Sequence, residues 1–247
     1  MLEQNKIYLG DCLEVMKDIE SKSINCIIAD LPYGTTNRNK WDIVIPFKSM
    51  WEQYERIIKD NGAILLFGDE PFTSELILSN RKLFKQRITW DKDRGSGFLN
   101  AHKMLMKQTE DICLFYKKPP IYNPQMTDAK PKNIRPISKE GYTSLNYGGH
   151  TTKPDKDYNP KLRYPTNLIK FSSMTGECNN VNRLHTTQKP IELYKWLMET
   201  YSQKGDLILD NCCGSGTIKV AQSINRNFIG IEKDEHIYNI ANNRNIS

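Results

Sequence analysis

Two short stretches carry residues whose types and spacing could do chemistry. In IIADLPYG, Ile27 to Gly34, an apolar run ends in Asp30, and Leu31, Pro32 and Tyr33 follow. Pro32 stiffens the turn, which fixes the backbone carbonyls and the Tyr33 ring in space. A carboxylate and a carbonyl are two acceptors. They match the two hydrogens of a planar exocyclic amine, and a flat ring can stack on the base that carries it. The same pattern also suits an Asp that caps a turn beside a core tyrosine. In ILDNCCGSGT, Ile208 to Thr217, a strand ends in Asp210 and turns through Gly214 and Gly216 toward a helix. Glycines there let the backbone approach a ligand and leave free N–H groups at a helix start, although a plain tight turn needs them too. Glu232, in FIGIEKD, ends the next strand roughly twenty residues on, where an acid holds ribose hydroxyls. Cys212 stands where a dinucleotide fingerprint has its first glycine. A ligand with a ribose and no pyrophosphate therefore fits better.

The elements that must position these tips alternate along the chain. KIYLGD (Lys6 to Asp11), NCIIAD, AILLFG, QRITWDK, DICLFYKK, LILDNCC and FIGIE read as strands. Cys12 to Ile19, Pro46 to Lys59, Pro71 to Leu78, Pro190 to Tyr201, Thr217 to Ile224 and Glu235 to Asn242 read as helices. In the second of these, Met50, Trp51, Tyr54, Ile57 and Ile58 share a face, and Asn61-Gly62 is expected to stop it. Near-continuous apolar strands between helices predict a parallel sheet covered on both faces, with ligands beyond the carboxyl ends of its strands.

The net charge of +6 is concentrated. Lys117 to Lys170 holds eleven Lys/Arg against four Asp/Glu and eight of the twelve prolines, while the remaining chain is near neutral. This stretch lacks clear periodicity and reads as a loop-rich insert, either ordinary solvated surface or a face for a polyanion. Interleaved Tyr122, Tyr142, Tyr147, Tyr158 and Tyr164 suit a nucleic acid. Asp91 to Lys103 reads as a basic, Gly-containing loop that could close over DNA or simply face solvent. The six cysteines form no CxxC pair and no His cluster accompanies them, so no metal is expected; they read as buried hydrophobes in a reducing cytoplasm. No stretch is long enough to span a bilayer, and no membrane association is expected.

Asp-Leu-Pro-Tyr resembles the (Asp/Asn/Ser)-Pro-Pro-Tyr motif of the amino methyltransferases acting on DNA. DNCCGSGT resembles their cofactor motif, and HTTQKPIEL (His185 to Leu193) the His-Pro-Thr-Gln-Lys-Pro segment before it. The order, catalytic motif first and insert between, is that of the circularly permuted β group, and the Asp form implies adenine. The resemblance covers nearly the whole chain. It implies a Rossmann-like, S-adenosylmethionine-dependent methyltransferase fold of the α/β class, with a catalytic domain over 1–117 and 181–247 and a target-recognition insert over 118–180. It also implies roles. Asp11 would bind the cofactor's adenine amine and Glu232 its ribose. Gly214, Ser215, Gly216 and Thr217 would line the methionine part with Asp210 beneath. Thr187 and Lys189 would hold the methionine carboxylate. Asp30, Leu31, Pro32 and Tyr33 would hold a flipped-out base beside that pocket. Lys153, Lys156, Lys161 and Arg163 are the candidate contacts to double-stranded DNA. Leu31 departs from the family's proline and Cys212 from its phenylalanine. Methylation of the cytosine amine, methylation of adenine in RNA, and a non-catalytic nucleic-acid-binding module are the alternatives. A homodimer and a cognate restriction enzyme are partners that the resemblance leaves open.

Overall fold

The fold follows from where the strands can bury both faces. In this computed structural model, residues 2–35, 42–131, 134, 142–144, 150–152, 159–173 and 188–246 are described. An eight-stranded sheet contains β1 (Lys6–Leu9), β2 (Ile24–Ala29), β3 (Ile58–Gly68), β4 (Phe84–Ser96), β5 (Lys107–Phe115), β10 (Leu168–Lys170), β11 (Leu207–Asp210) and β12 (Asn227–Glu232). Its order is β1-β12-β11-β2-β3-β5-β4-β10. All adjacent pairs are parallel except those made by β5, which runs antiparallel to both β3 and β4.

Alternation along the central strands builds two cores. Cys26 and Ile28 of β2, with Ala63, Leu65 and Phe67 of β3, face one layer, and Ile27, Ala29, Ile64 and Leu66 face the other. The first layer is closed by α4 (Ile191–Tyr201), α5 (Val220–Ser223) and Ala241 of α6 (Glu235–Asn243). The second is closed by α1 (Cys12–Val15), α2 (Phe47–Ile57) and α3 (Phe72–Ser79). Burial on both faces is why these strands read as unbroken apolar runs.

Three local expectations are corrected. Helix α2 ends at Ile57, because Ile58 turns extended and begins β3. Asn61-Gly62 is therefore no helix stop. It lies in an irregularity of β3 between the pairs Ile24–Ile58 and Cys26–Ala63, where a Cβ on Gly62 would meet the Asn25 carbonyl oxygen at 2.9 Å. Much of Asp91 to Lys103 is not loop, since β4 continues to Ser96.

A second compact unit comprises Pro124–Thr166, while Leu168–Lys170 belongs to the large sheet. Within the second unit, β6 (Thr127–Asp128) pairs antiparallel with β9 (Leu162–Arg163), and β7 (Tyr142–Ser144) with β8 (His150–Thr152). Among the described residues, no helix is long and apolar enough to cross a membrane.

Candidate active site

Strands β1, β12, β11 and β2 lie side by side and parallel, so their carboxyl ends share one rim. Each brings an acid there: Asp11 just beyond β1, Glu232 and Asp210 as the last residues of β12 and β11, and Asp30 directly after β2. At about 4.8 Å between neighbouring strands, these tips form a row about 14 Å long. After β11 the chain winds outward through β12, whereas after β2 it winds the other way through β3. The row therefore straddles a switch point, where open α/β sheets take ligands.

At one end, Asp11 caps α1 by accepting the Leu13 N–H at 3.0 Å, and its other oxygen accepts from Lys233 Nζ at 2.9 Å. The Lys233 bond holds the Asp11 carboxyl below its usual range. Glu232 accepts the backbone N–H groups of Gly214 at 3.0 Å and Asp234 at 2.8 Å, and burial raises its carboxyl above the usual range. These bonds fix the carboxylate at the strand tip and leave it acceptor capacity for a ligand.

The two glycines of the turn do different jobs. Gly214 has φ +50° and nothing within 4 Å of where a Cβ would be, so its backbone borders open space. Gly216 has φ +79°, and a Cβ there would press on Ala241 of α6, at 3.1 Å from its Cβ and 3.2 Å from its carbonyl oxygen. Gly216 is thus required by helix packing, whatever else its backbone faces. Ser215 and Thr217 are both held by Arg244. Arg244 Nη1 donates to the Ser215 carbonyl at 2.9 Å and lies 3.3 Å from both hydroxyl oxygens. Beneath the turn, buried Asp210 accepts the Cys212 N–H and the Tyr194 hydroxyl, both at 3.1 Å, and burial pushes its carboxyl up to about 8.

At the other end of the row, Asp30 is part of a closed polar cluster. Lys189 Nζ lies 2.7 Å from Asp30 Oδ2 and 2.9 Å from Glu110 Oε1. The Tyr33 hydroxyl lies 2.8 Å from Asp30 Oδ1 and 3.0 Å from Glu110 Oε1, close enough to donate its one proton to either. Burial raises the Asp30 carboxyl above its usual range, against the pull of the Lys189 charge. Burial acts the same way on Glu110, but there the charge and hydrogen bond of Lys189, the Lys92 charge and the Tyr33 hydroxyl together outweigh it and the carboxyl is held low. Lys189 stays charged, because two acids outweigh its own desolvation. The Tyr33 ring stacks on Phe72 with centroids 5.0 Å apart, and Lys189 Nζ sits 5.1 Å from the Phe67 ring centroid. Leu31 is buried in the layer of α1 to α3, an apolar role that accounts for leucine in this turn.

The structure therefore brings together Asp11, Asp30, Leu31, Pro32, Tyr33, Lys189, Asp210, Gly214 and Glu232 along one rim. It places Lys189 against Asp30 of this turn and Glu110 of β5. Glu110, Phe72 and Tyr194 complete the site and were not anticipated. The only signal for Glu110 was an acid just ahead of the apolar run DICLF. Thr187, Lys153 and Lys156 lie outside the described residues. Lys161 and Arg163 fall in the second unit, where Arg163 Nη1 donates to the carbonyls of Pro160 and Leu162. Cys12, Cys26, Cys113 and Cys213 are buried and Cys212 half-buried, all as free thiols; Cys178 is not among the described residues.

Comparison with known proteins now adds to this geometry. A family model described as DNA methylase, of the N6/N4 methyltransferase type, matches residues 24–243. The chain is 28% identical to the type II methyltransferase M.HpaI of Haemophilus parainfluenzae over 97% of its own length and 73% of that protein. It is also 28% identical to the type II methyltransferase M1.MboII of Moraxella bovis, over 98% of this chain and 96% of that one. Among solved structures, the M1.HpyAVI–SAM complex superposes with a TM-score of 0.60 at 22% identity, covering 96% of this chain and 97% of that chain. The PvuII cytosine-N4-specific DNA methyltransferase superposes with a TM-score of 0.68 at 15% identity, covering 100% and 89%.

Proposed function

Because the chain belongs to the DNA methylase family, whose members act on adenine N6 or cytosine N4, we propose that it methylates the exocyclic amine of adenine in double-stranded DNA. S-adenosylmethionine is the cofactor; when bound, it supplies an electron-poor methyl group on a sulfonium. The observation that carries the proposal is the row of strand tips, with ribose-type acceptors at one end and Asp30-Leu31-Pro32-Tyr33 at the other. The chain fits the cofactor. Asp11 suits its adenine amine, and Glu232, fixed by two backbone N–H bonds, suits its ribose hydroxyls. The open space beside Gly214 would leave room for its methionine part. A duplex buries its amines, so the target base turns out of the stack to enter this pocket.

The chain's own groups then act on the amine. Asp30 and the Leu31 carbonyl accept its two N–H bonds, which frees the nitrogen lone pair for attack. The Tyr33 ring, backed by Phe72, replaces part of the lost base stacking. Lys189 opposes the rise that burial imposes on the Asp30 carboxyl and so favours its accepting form. Asp30 need not remove a proton first, since the amine becomes strongly acidic only once methylated. Positioning and preorganised charge do most of the work. Asp rather than Ser at position 30 favours adenine over cytosine. Lys153, Lys156, Lys161 and Arg163 of the insert serve as phosphate contacts. A homodimer and a cognate restriction enzyme are partners that this reading leaves open.

The test is methyl transfer from labelled S-adenosylmethionine to duplex DNA, followed by nucleoside analysis. N6-methyladenine is expected, and N4-methylcytosine would replace the adenine assignment. Asp30→Ala should lose at least about a hundredfold in turnover, the scale for removing one aligned electrostatic contact, while keeping cofactor affinity. Parental turnover in that variant would remove Asp30 from the chemistry.

A further inference from the structure

We infer that the crest of the β4–β5 ribbon is an apolar wedge that enters the DNA stack where the target base leaves it. The inference rests on the methyltransferase reading above and adds a second DNA-contacting element to it.

Strand β4 runs parallel to β2, because each is related to β3 through antiparallel β5 or directly. The turn between β4 and β5 thus lies at the same end of the sheet as Asp30. Glu110, whose carboxylate touches Tyr33 and Lys189, pairs with Trp90 in this ribbon. Beyond that level β5 extends to Lys107, three residues or about 10 Å further at the usual rise of a strand. The partner strand bulges there, with its register shifting between Asp91 and Ser96, and Asp93 adopts φ +61°. The ribbon therefore stands above the rim of the active site, joined to it by Glu110.

Its crest is unlike the rest of the described surface. Phe98 is 73% exposed, Leu99 74%, Met104 66% and Leu105 96%. With Met106, these make five of the thirteen large exposed hydrophobics among the described residues, gathered within nine positions. Scattered exposed apolar residues need no explanation, but a cluster at one tip marks a contact. Exposed Arg94 precedes it and exposed Lys103 lies within it, so the occupant it suits offers both apolar and anionic surface. Duplex DNA has that profile, with stacked bases behind phosphates. Proteins that unstack DNA insert Phe, Leu or Met between base steps. A flipped base leaves such a gap beside the pocket, and the crest fills it from the side on which Asp30 and Tyr33 receive the base.

The experiment uses the full chain. The target site is first read from methylated bases in plasmid DNA recovered from cells that express it. Short duplexes carrying that site are then compared with duplexes in which the target base is mispaired and already loosely stacked. Phe98→Ser combined with Leu105→Ser is expected to lower kcat/KM on the paired duplex at least about tenfold, with most of the loss restored by mispairing. Thermal unfolding and cofactor calorimetry of the variant confirm that only exposed positions changed. An unchanged rate on paired DNA overturns the wedge, and so does an equal loss on both duplexes, which would mean that the crest merely positions the active site. A concentration-dependent loss with altered sedimentation assigns the patch to a second copy of the chain and also overturns it. A plasmid without any methylated base fails the underlying methyltransferase reading instead, and methylation of cytosine leaves the wedge intact.

Discussion

Lys189 shares one ammonium between Asp30 and Glu110, at 2.7 and 2.9 Å. In the proposed reaction Asp30 is the side that accepts the amine, and the lysine opposes the rise that burial imposes on its carboxyl. In Lys189→Met the two buried acids lose their counter-charge, so both carboxyl pKa values rise. The ionised fraction of Asp30 then falls at neutral pH and recovers in alkali. The acid limb of the kcat/KM profile should shift upward, with the loss at pH 6 larger than at pH 8; an unshifted limb would separate Lys189 from Asp30. The variant should also lose about 3–5 kcal/mol of stability, since removing one partner leaves buried charge uncompensated. Denaturant unfolding measures that separately. At this scale the sequence was partly legible. Asp30 and Tyr33 are visible because their motif is contiguous. Glu110 is not, because its contact with Tyr33 spans 77 positions and Lys189 meets Asp30 across 159. A local pattern carries no information about which strands will be neighbours.

At the scale of elements, the glycine turn separates binding from packing. Gly216→Ala adds a Cβ against Ala241 at 3.1 Å in a left-handed conformation, so it should destabilise the fold by about 1–3 kcal/mol, the usual cost of overpacking. Gly214→Ala shares the left-handed strain, about 1–2 kcal/mol, but projects its methyl into open space. It should therefore cost more cofactor affinity than Gly216→Ala does, for a smaller fall in stability. Calorimetry beside thermal unfolding resolves the two, and equal effects on affinity would return both glycines to one role. Strand tips were legible because apolar runs ending in acids are a chemical pattern. The β4–β5 ribbon was not, since its distal half, KDRGS, is polar on both sides and has no face to bury. Its strand character comes from pairing with β5 across a gap in sequence. The end of α2 was misplaced for a related reason: Asn61-Gly62 is a turn signal that a sheet irregularity can use equally well.

For the whole molecule, charge is divided between a near-neutral sheet and a basic insert. If that insert neutralises phosphates, DNA affinity must fall steeply with salt as condensed counterions are released. Replacing Lys153, Lys156, Lys161 and Arg163 by Gln together should flatten the log–log slope by up to about four units, at roughly 0.9 per contact, with cofactor binding unchanged. A slope that stays as it was, on an unaltered target sequence, removes these residues from the interface. Composition made the insert legible as a charged segment, yet its short strand pairs follow no period that a sequence could display. The buried acid beneath the turn has a different consequence. Asp210 titrates at about 8 in the fold, against about 3.9 for a free Asp side chain. Between those values the unfolded chain ionises there while the native chain does not. Stability contributed by this group is complete below about pH 4 and drains away as pH rises toward 8, at no more than ~1.4 kcal/mol per unit. The hinge of the cofactor pocket thus ties its endurance to the acidity of the solution. Asp210→Asn should make denaturant midpoints less sensitive to pH from 5 to 8, and a variant with the parental slope would show that the carboxyl ionises inside the fold.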